Sequence, residues 1–182
     1  MSRLRDLYKS KIMPELKSEL KVGNPMRVPK MEKVVISMGL GKALADKKYL
    51  DNAIKDLTSI SGQKPVICKA KKSVSNFKVR EGDKIGLKVT LRGERMYEFM
   101  DRLVNLAIPR VKDFRGLNPN AFDGRGNYSM GLDEQSVFPE IDTGNIEVNQ
   151  GMNITFVTTA ETNEEGHALL SHFGMPFVGM HD

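Results

Sequence analysis

No stretch of this chain approaches the roughly 20 consecutive apolar residues that crossing a bilayer takes. The opening MSRLRDLYKSK also lacks the apolar segment of a secretory leader. A cytoplasmic protein without membrane association is therefore expected. Cysteine is nearly missing: Cys68 is the only one, so no internal disulfide can form, which fits a reducing compartment. Basic residues are missing from the back of the chain. The last 57 residues hold nine Asp/Glu and no Lys or Arg, while all 28 Lys/Arg lie at or before Arg125 beside 14 Asp/Glu. The front thus carries +14 and the back −9, which together make the +5 of the whole. Such asymmetry points to a polyanion for the front and something basic, or only water, for the back. Linkers, internal repeats and low-complexity segments are lacking too. A chain of 182 residues is long enough for one well-buried core and short for two, so residues 1–182 read as a single domain.

Catalytic and cofactor signatures are equally scarce. Gly39-Leu-Gly41 follows one predicted strand and precedes a helix, but the third glycine of a dinucleotide fingerprint would fall at Leu44, so the pattern fails. No GxxxxGK[ST] phosphate loop occurs. His167, His172 and His181 do not form a compact ligand set on one helix face, and Cys68 cannot complete a zinc site with them. A lysine neighbour could lower the pKa of Cys68, but a strand cysteine reads first as a small buried hydrophobe. Asp133 and Glu134 are adjacent and would diverge on a strand, which makes them a solvated turn. No enzyme, cofactor or metal is expected.

What the chain does have is concentrated charge. Residues Lys64 to Arg95 hold ten Lys/Arg and three Asp/Glu, a net +7. The end of this stretch alternates from Lys84 to Arg92. Ile85, Leu87, Val89 and Leu91 point one way, and Lys84, Gly86, Lys88, Thr90 and Arg92 the other, as successive strand residues do. Before it, residues Ala70 to Asp83 read as a basic loop with Lys71, Lys72, Lys78 and Arg80 around Phe77. That ring either tucks onto the domain or packs against a partner.

The remaining pattern supplies the frame. Leu4, Leu7, Tyr8, Ile12, Leu16 and Leu20 form a helical stripe that Pro14 should break or kink. Glu32 to Met38 reads as a strand burying Val34, Ile36 and Met38. Asp46 is a candidate N-cap for a helix with the stripe Leu50, Ala53, Ile54, Leu57, Ile60, closed at Gly62. A short strand Pro65 to Lys69 follows. A second helix opens at Gly93-Glu94, carries Met96, Phe99, Met100, Leu103, Leu106 and Ala107, and ends at Pro109. Residues Arg110 to Asn127 predict an irregular excursion. Strands are expected at Tyr128 to Leu132, Val137 to Phe138 and Asn153 to Thr159, and Thr162-Asn-Glu-Glu165 is a capping box opening a last helix that stops at Gly174.

This order predicts an α+β fold: a ferredoxin-like, RRM-like split β-α-β core, an antiparallel sheet with helices on one face, plus an N-terminal helix and a β insertion. The other face stays open. Lys33, Ser37, Lys88, Thr90 and Arg92 belong on it, along with Thr155 and Thr159, and Gln63, followed in the chain by Lys64, stands at its rim. Its central strands offer no aromatic ring, so it suits phosphates, 2′-hydroxyls and base edges of a folded RNA better than splayed single strands. Two rival readings stay open: a ferredoxin-like sensor of a small ligand near Gly39-Leu-Gly41, and a protein-only scaffold acting through the acidic tail.

Several blocks carry a further signal: Gly62-Gln-Lys-Pro65, Lys69-Ala-Lys-Lys-Ser73, Lys88-Val-Thr-Leu-Arg-Gly-Glu-Arg95, Arg110-Val-Lys-Asp-Phe-Arg-Gly116, Phe122-Asp-Gly-Arg-Gly-Asn-Tyr-Ser129 and Phe138-Pro-Glu-Ile141. Together they resemble the bacterial ribosomal protein L-five family of the large subunit, over nearly the whole chain. The resemblance implies binding of 5S rRNA and its attachment to 23S rRNA in the central protuberance, with further contacts to P-site tRNA and to a small-subunit head ribosomal protein. It implies 5S contacts at Ser37, Gln63 and Thr90, where the family usually has Asn in place of Ser37. It matches the 70–83 loop to the arm that reaches tRNA, with Lys71, Lys72, Ser73, Phe77, Lys78 and Arg80 as contacts. Arg110, Asp133 and Glu134 fall in the parts matching the small-subunit side. No homo-oligomer is expected.

Overall fold

A computed structural model of the chain describes residues 2–41, 47–142, 144 and 148–179; the expected cap Asp46 and His181 lie outside the described residues. Helix α1 (Arg3–Leu7) runs through a π turn, Tyr8–Ile12, into α2 (Met13–Glu19). Leu4, Tyr8, Ile12 and Leu16 are buried at four-residue spacing. The expected break at Pro14 is absorbed by the wider π turn, which loosens the hydrogen-bond ladder where the proline ring would meet the preceding carbonyl. Leu7 is consequently exposed and not in the stripe.

Strands β1 (Met31–Gly39), β2 (Val66–Lys69), β3 (Lys84–Leu91), β4 (Tyr128–Leu132) and β5 (Met152–Thr158) alternate with α3 (Lys47–Ser61), α4 (Gly93–Arg102) and α5 (Asn163–His172). The strand order is β2-β3-β1-β5-β4. β1 and β2, joined through α3, are split by β3; β3 and β5, joined through α4 and β4, are split by β1. That is the ferredoxin-like arrangement in an antiparallel sheet, with β4 added outside β5. Every strand of the four that pack on the core buries alternate residues: Val34, Ile36 and Met38 on β1, Leu87, Val89 and Leu91 on β3, Met130 and Leu132 on β4, Ile154 and Phe156 on β5.

The chain falls into two compact units. One comprises Met1–Val34, Leu91–Met130 and Thr155–Asp182; the other comprises Val35–Thr90 and Gly131–Ile154. In the first, Tyr8 stacks on Phe173 at 5.8 Å, and Tyr128 meets Phe177 edge-on at 5.3 Å. The Tyr8 hydroxyl donates to the Pro29 carbonyl at 2.8 Å, and burial, followed by the charge of Tyr97, pushes its pKa up to about 12. α4 passes through a second π turn, Leu103–Ala107. The turn shifts the phase of the stripe, so Leu103, Ala107 and Ile108 are buried while Leu106, expected inside, is 44% exposed. α5 carries the expected cap: the Thr162 hydroxyl accepts from the Glu165 N–H, and the Glu165 carboxylate accepts from the Glu161 N–H.

In the second unit α3 buries Leu50, Ala53, Leu57 and Ile60. It ends on Gly62 at φ +65°, whose N–H donates to the Thr58 carbonyl. The strand expected at Val137 to Phe138 is instead the end of a 3-10 turn, Gln135–Val137. Both side chains are buried, so their hydrophobicity is satisfied without a strand partner.

Candidate nucleic-acid interface

The face of β3 opposite its core side carries Lys84, Lys88 and Thr90. The first two are exposed and Thr90 half-buried. β1, its neighbour in the sheet, presents half-buried Ser37 on that side. Gln63, one residue past the helix-ending glycine, reaches back to β3: its Nε2 donates to the Thr90 carbonyl at 3.5 Å, a long bond that leaves most of the amide's capacity free. Its backbone N–H is held by the Ser61 hydroxyl at 3.2 Å. Ser37, Gln63, Lys64, Lys88 and Thr90 all belong to the second unit. Between Lys84 and Lys88 the face is backbone. A Cβ at Gly86 would lie 2.8 Å from the Met38 carbonyl oxygen, so only glycine lets β3 and β1 approach there.

Lys33 and Arg92 belong to the first unit, and both are partnered. Glu32 lies 3.5 Å from the Lys33 ammonium and 3.9 Å from the Arg92 guanidinium. Sequence reading missed this shared carboxylate, although its position beside Lys33 was visible. Thr155 is half-buried and its hydroxyl pairs with that of Ser129 at 3.1 Å. Thr159 is not a strand residue: it lies past the end of β5, where its hydroxyl accepts the Lys30 N–H at 3.0 Å.

The edge strand β2 corrects one reading. Its register sets Val66 opposite Lys88 and Cys68 opposite Gly86, which turns Val66 and Cys68 to the open face. Cys68 is half-buried, not a core residue, and Val66 is 68% exposed. The signal was the two-residue period itself: Ile67 and Val66 cannot both face inward.

Residues 70–83 form a small self-contained hairpin. The Ala70 N–H donates to the Asp83 carbonyl at 2.8 Å, Gly82 N–H to Ala70, and Val74 and Val79 exchange both bonds of a bridge. A 3-10 turn, Ser75–Phe77, ends on Lys78 at φ +53°. The Asp83 carboxylate accepts the Arg80 N–H at 2.7 Å, and the Ser73 hydroxyl accepts the Glu81 N–H at 2.9 Å. The backbone is therefore satisfied internally, while the Lys71, Lys72, Lys78 and Arg80 side chains all stand exposed. Phe77 does not tuck onto the domain; it is 76% exposed.

Arg110 closes a 3-10 turn, Ile108–Arg110, of the first unit and is exposed. Asp133 and Glu134 are exposed just after β4, in the second unit, and the Glu134 carboxylate accepts from the Ser136 hydroxyl at 2.9 Å. Nothing gathers these into a catalytic set. His167 lies against Phe177 at 4.5 Å, and His172 sits between Glu15 and Glu19 at 3.3 and 2.7 Å. No group of three metal-ligating side chains occurs among the described residues. A cleft of about 370 Å³ in the second unit runs along the outer side of α3 past Asn52, Asp56, Gln135 and Gln150. Burial, only partly offset by Lys55, raises the Asp56 pKa. The cleft is more polar than apolar: Ala53, Ile141 and Val148 line it beside these polar groups, whereas small-ligand sites are lined predominantly by apolar side chains.

Two family descriptions match this chain: ribosomal protein L5 over residues 24–80, and the C-terminus of the same ribosomal family over residues 84–177. Among curated proteins, the large ribosomal subunit protein uL5 of Natranaerobius thermophilus is 57% identical over 98% of this chain and 100% of its own length. The proteins of the same name from Anaeromyxobacter sp. and Ruthia magnifica are 56% and 58% identical, over 97% and 98% of this chain and 98% and 100% of their own lengths.

Proposed function

The chain belongs to the ribosomal protein L5 family, and from that premise we propose that it is a non-enzymatic structural constituent of the large ribosomal subunit in the cytoplasm. Acting as one RNA-binding domain, it binds 5S rRNA on its open sheet face and helps attach that RNA to 23S rRNA in the central protuberance. The observation that carries this reading is the character of the face. Lys88 and Lys64 supply charge, Ser37, Gln63 and Thr90 supply hydrogen-bonding groups, and aromatic rings are missing from it. Such a face holds a folded RNA by phosphate, ribose and base-edge contacts, with a strong salt dependence. The hairpin over 70–83 is the arm for P-site tRNA, with Lys71, Lys72, Lys78 and Arg80 toward phosphates, Ser73 bracing the hairpin and Phe77 as the stacking or packing ring. Arg110, Asp133 and Glu134 lie on the parts of the chain that meet a small-subunit head protein, where the acidic pair suits a basic partner.

The test is 5S rRNA affinity at fixed salt. Gln63→Ala and Thr90→Val should each weaken binding by about 1–3 kcal/mol, the cost of leaving a buried hydrogen-bond partner unsatisfied. Unchanged affinity in both variants, with the fold intact by circular dichroism, would remove the sheet face as the 5S site.

A further inference from the structure

The segment Asp123 to Asn127 has no part in the RNA contacts proposed above, yet it is a tightly constrained surface loop of the first unit. The Asp123 carboxylate accepts the N–H groups of Arg125 and Asn127 at 2.8 and 3.1 Å and the Asn127 side-chain amide at 2.6 Å. Those bonds, that of the Asn127 amide foremost, hold its pKa below the usual carboxylate range. The Asn127 side-chain oxygen accepts the Thr158 N–H, the Thr158 hydroxyl donates to the Gly126 carbonyl at 2.8 Å, and the Gly126 N–H donates to Asn163. A Cβ at Gly126 would lie 2.5 Å from that of Ala160, and one at Gly166 would lie 2.5 Å from the Gly126 oxygen. Every constraint acts on the backbone or on Asp123 and Asn127. The Arg125 side chain is left exposed at the tip.

A second segment is tied to the same place. The Lys30 carbonyl accepts the N–H of Thr159, the residue after Thr158, the Lys30 N–H donates to the Thr159 hydroxyl, and Arg27 reaches Glu161 at 3.0 Å. The turn Pro25–Arg27 is capped by the Asn24 side chain and holds Met26 82% exposed. One end of β5 therefore fastens both segments, the one carrying Met26, Arg27 and Lys30 and the one carrying Arg125. Among the described residues no ion pair engages Lys30 or Arg125. Of the nearby carboxylates, Asp123 is consumed inside its loop, Glu161 is offset by Arg27, Glu165 holds the Glu161 N–H, and only Glu164 stands uncommitted on the first turn of α5.

We propose that the Asn24–Lys30 turn and the Asp123–Asn127 loop form a second RNA contact, in which Lys30 and Arg125 bind phosphates of one RNA, the Arg27–Glu161 pair flanks them, and Met26 packs on a ribose or base. A rigid loop presents Arg125 at little entropic cost, and the fork geometry of arginine matches a phosphate. The proposal rests on the reading of the protein as an rRNA binder but assigns a site on the other compact unit from Gln63 and Thr90.

The test is hydroxyl-radical footprinting and salt-dependent affinity of the full chain with 5S rRNA and with 23S rRNA, added separately and together. Lys30→Ala with Arg125→Ala should weaken binding about three- to tenfold at moderate salt and lower the slope of log affinity against log salt by about 1.5–2, close to one for each phosphate no longer neutralised. It should also erase a protected backbone stretch that Gln63→Ala leaves in place, and the RNA that loses this protection identifies the source. Arg125→Lys should restore part of the effect. Thermal melts control for folding, since the Arg125 side chain supports no part of its loop. Unchanged slope and footprint in the double variant, with Gln63→Ala still impaired, overturns this site alone. If Gln63→Ala is also without effect, the open-face reading fails with it. Loss of assembly into particles with the RNA footprint intact marks the patch as a protein contact and overturns the proposal.

Discussion

The hairpin over 70–83 and the loop Asp123–Asn127 look alike as sequence: short, glycine-bearing, charged, without an apolar pattern. The folded chain treats them oppositely. The hairpin satisfies its backbone with its own residues and touches little else. A Cβ at its Gly82, although φ there is +89°, would meet nothing within 4 Å. The other loop is welded to Thr158, Ala160 and Asn163, and has no room for one methyl group at Gly126. A free-standing basic hairpin can adjust to a moving partner, whereas a welded loop can only present one group in one place. Exposure of charge is common to both; rigidity separates them.

The largest effect that could break this contrast is on stability. Gly126→Ala should cost about 2–4 kcal/mol in chemical denaturation, because overpacking against Ala160 and a positive φ act together. Gly82→Ala, strained by its φ alone, should cost about 1 kcal/mol. Equal costs would mean that the two loops are equally constrained. Next in size is a change of partner without a change of fold. Removing charge at Lys71, Lys72 and Lys78 should weaken tRNA contact and reduce its salt slope by about two to three while sparing 5S binding; equal loss of both would merge hairpin and sheet into one site. Smaller still is an acid effect in the welded loop. The folded pKa of Asp123 is depressed, so its stabilisation is fully present above an unfolded value of about 4 and is lost as pH falls through the folded value. Asp123→Asn should flatten that limb of a pH–stability profile. The smallest effect is Phe77→Ala, which should leave stability within about 0.5 kcal/mol, since the ring contacts mainly water; a larger loss would mean that it packs on the protein after all.

Much of the fold was legible because burial imposes a period. The alternation from Lys84 to Arg92 placed β3 and its two faces, the stripe Leu50, Ala53, Leu57, Ile60 placed α3, and Thr162 with Glu165 marked the start of α5. The misses have physical causes too. Leu7 and Leu106 left their stripes because π turns insert an extra residue, and periodicity cannot see a change of helix type. Val137 and Phe138 were read as a strand because an apolar pair is equally content in a buried turn. Cys68 was read as core because a four-residue edge strand carries too little pattern to set its phase. At the candidate interface, the basic character of the face and hairpin was visible in composition. That Glu32 stands against both Lys33 and Arg92 required β1 and β3 to be neighbours in the sheet.

What the amino-acid order determined unaided was local: which residues alternate, which repeat with a helix, where charge accumulates, and that the tail from Gly126 onward carries no Lys or Arg. These follow from side-chain chemistry and from backbone periods that act within a few neighbours. What only the tertiary structure decided was which distant segments share a place. Thr158 and Thr159 fasten two loops about a hundred residues apart in the chain to one end of β5, and Phe77 is left in water. Such outcomes depend on long-range pairing and on the volume left once the core has closed, and no local pattern encodes either.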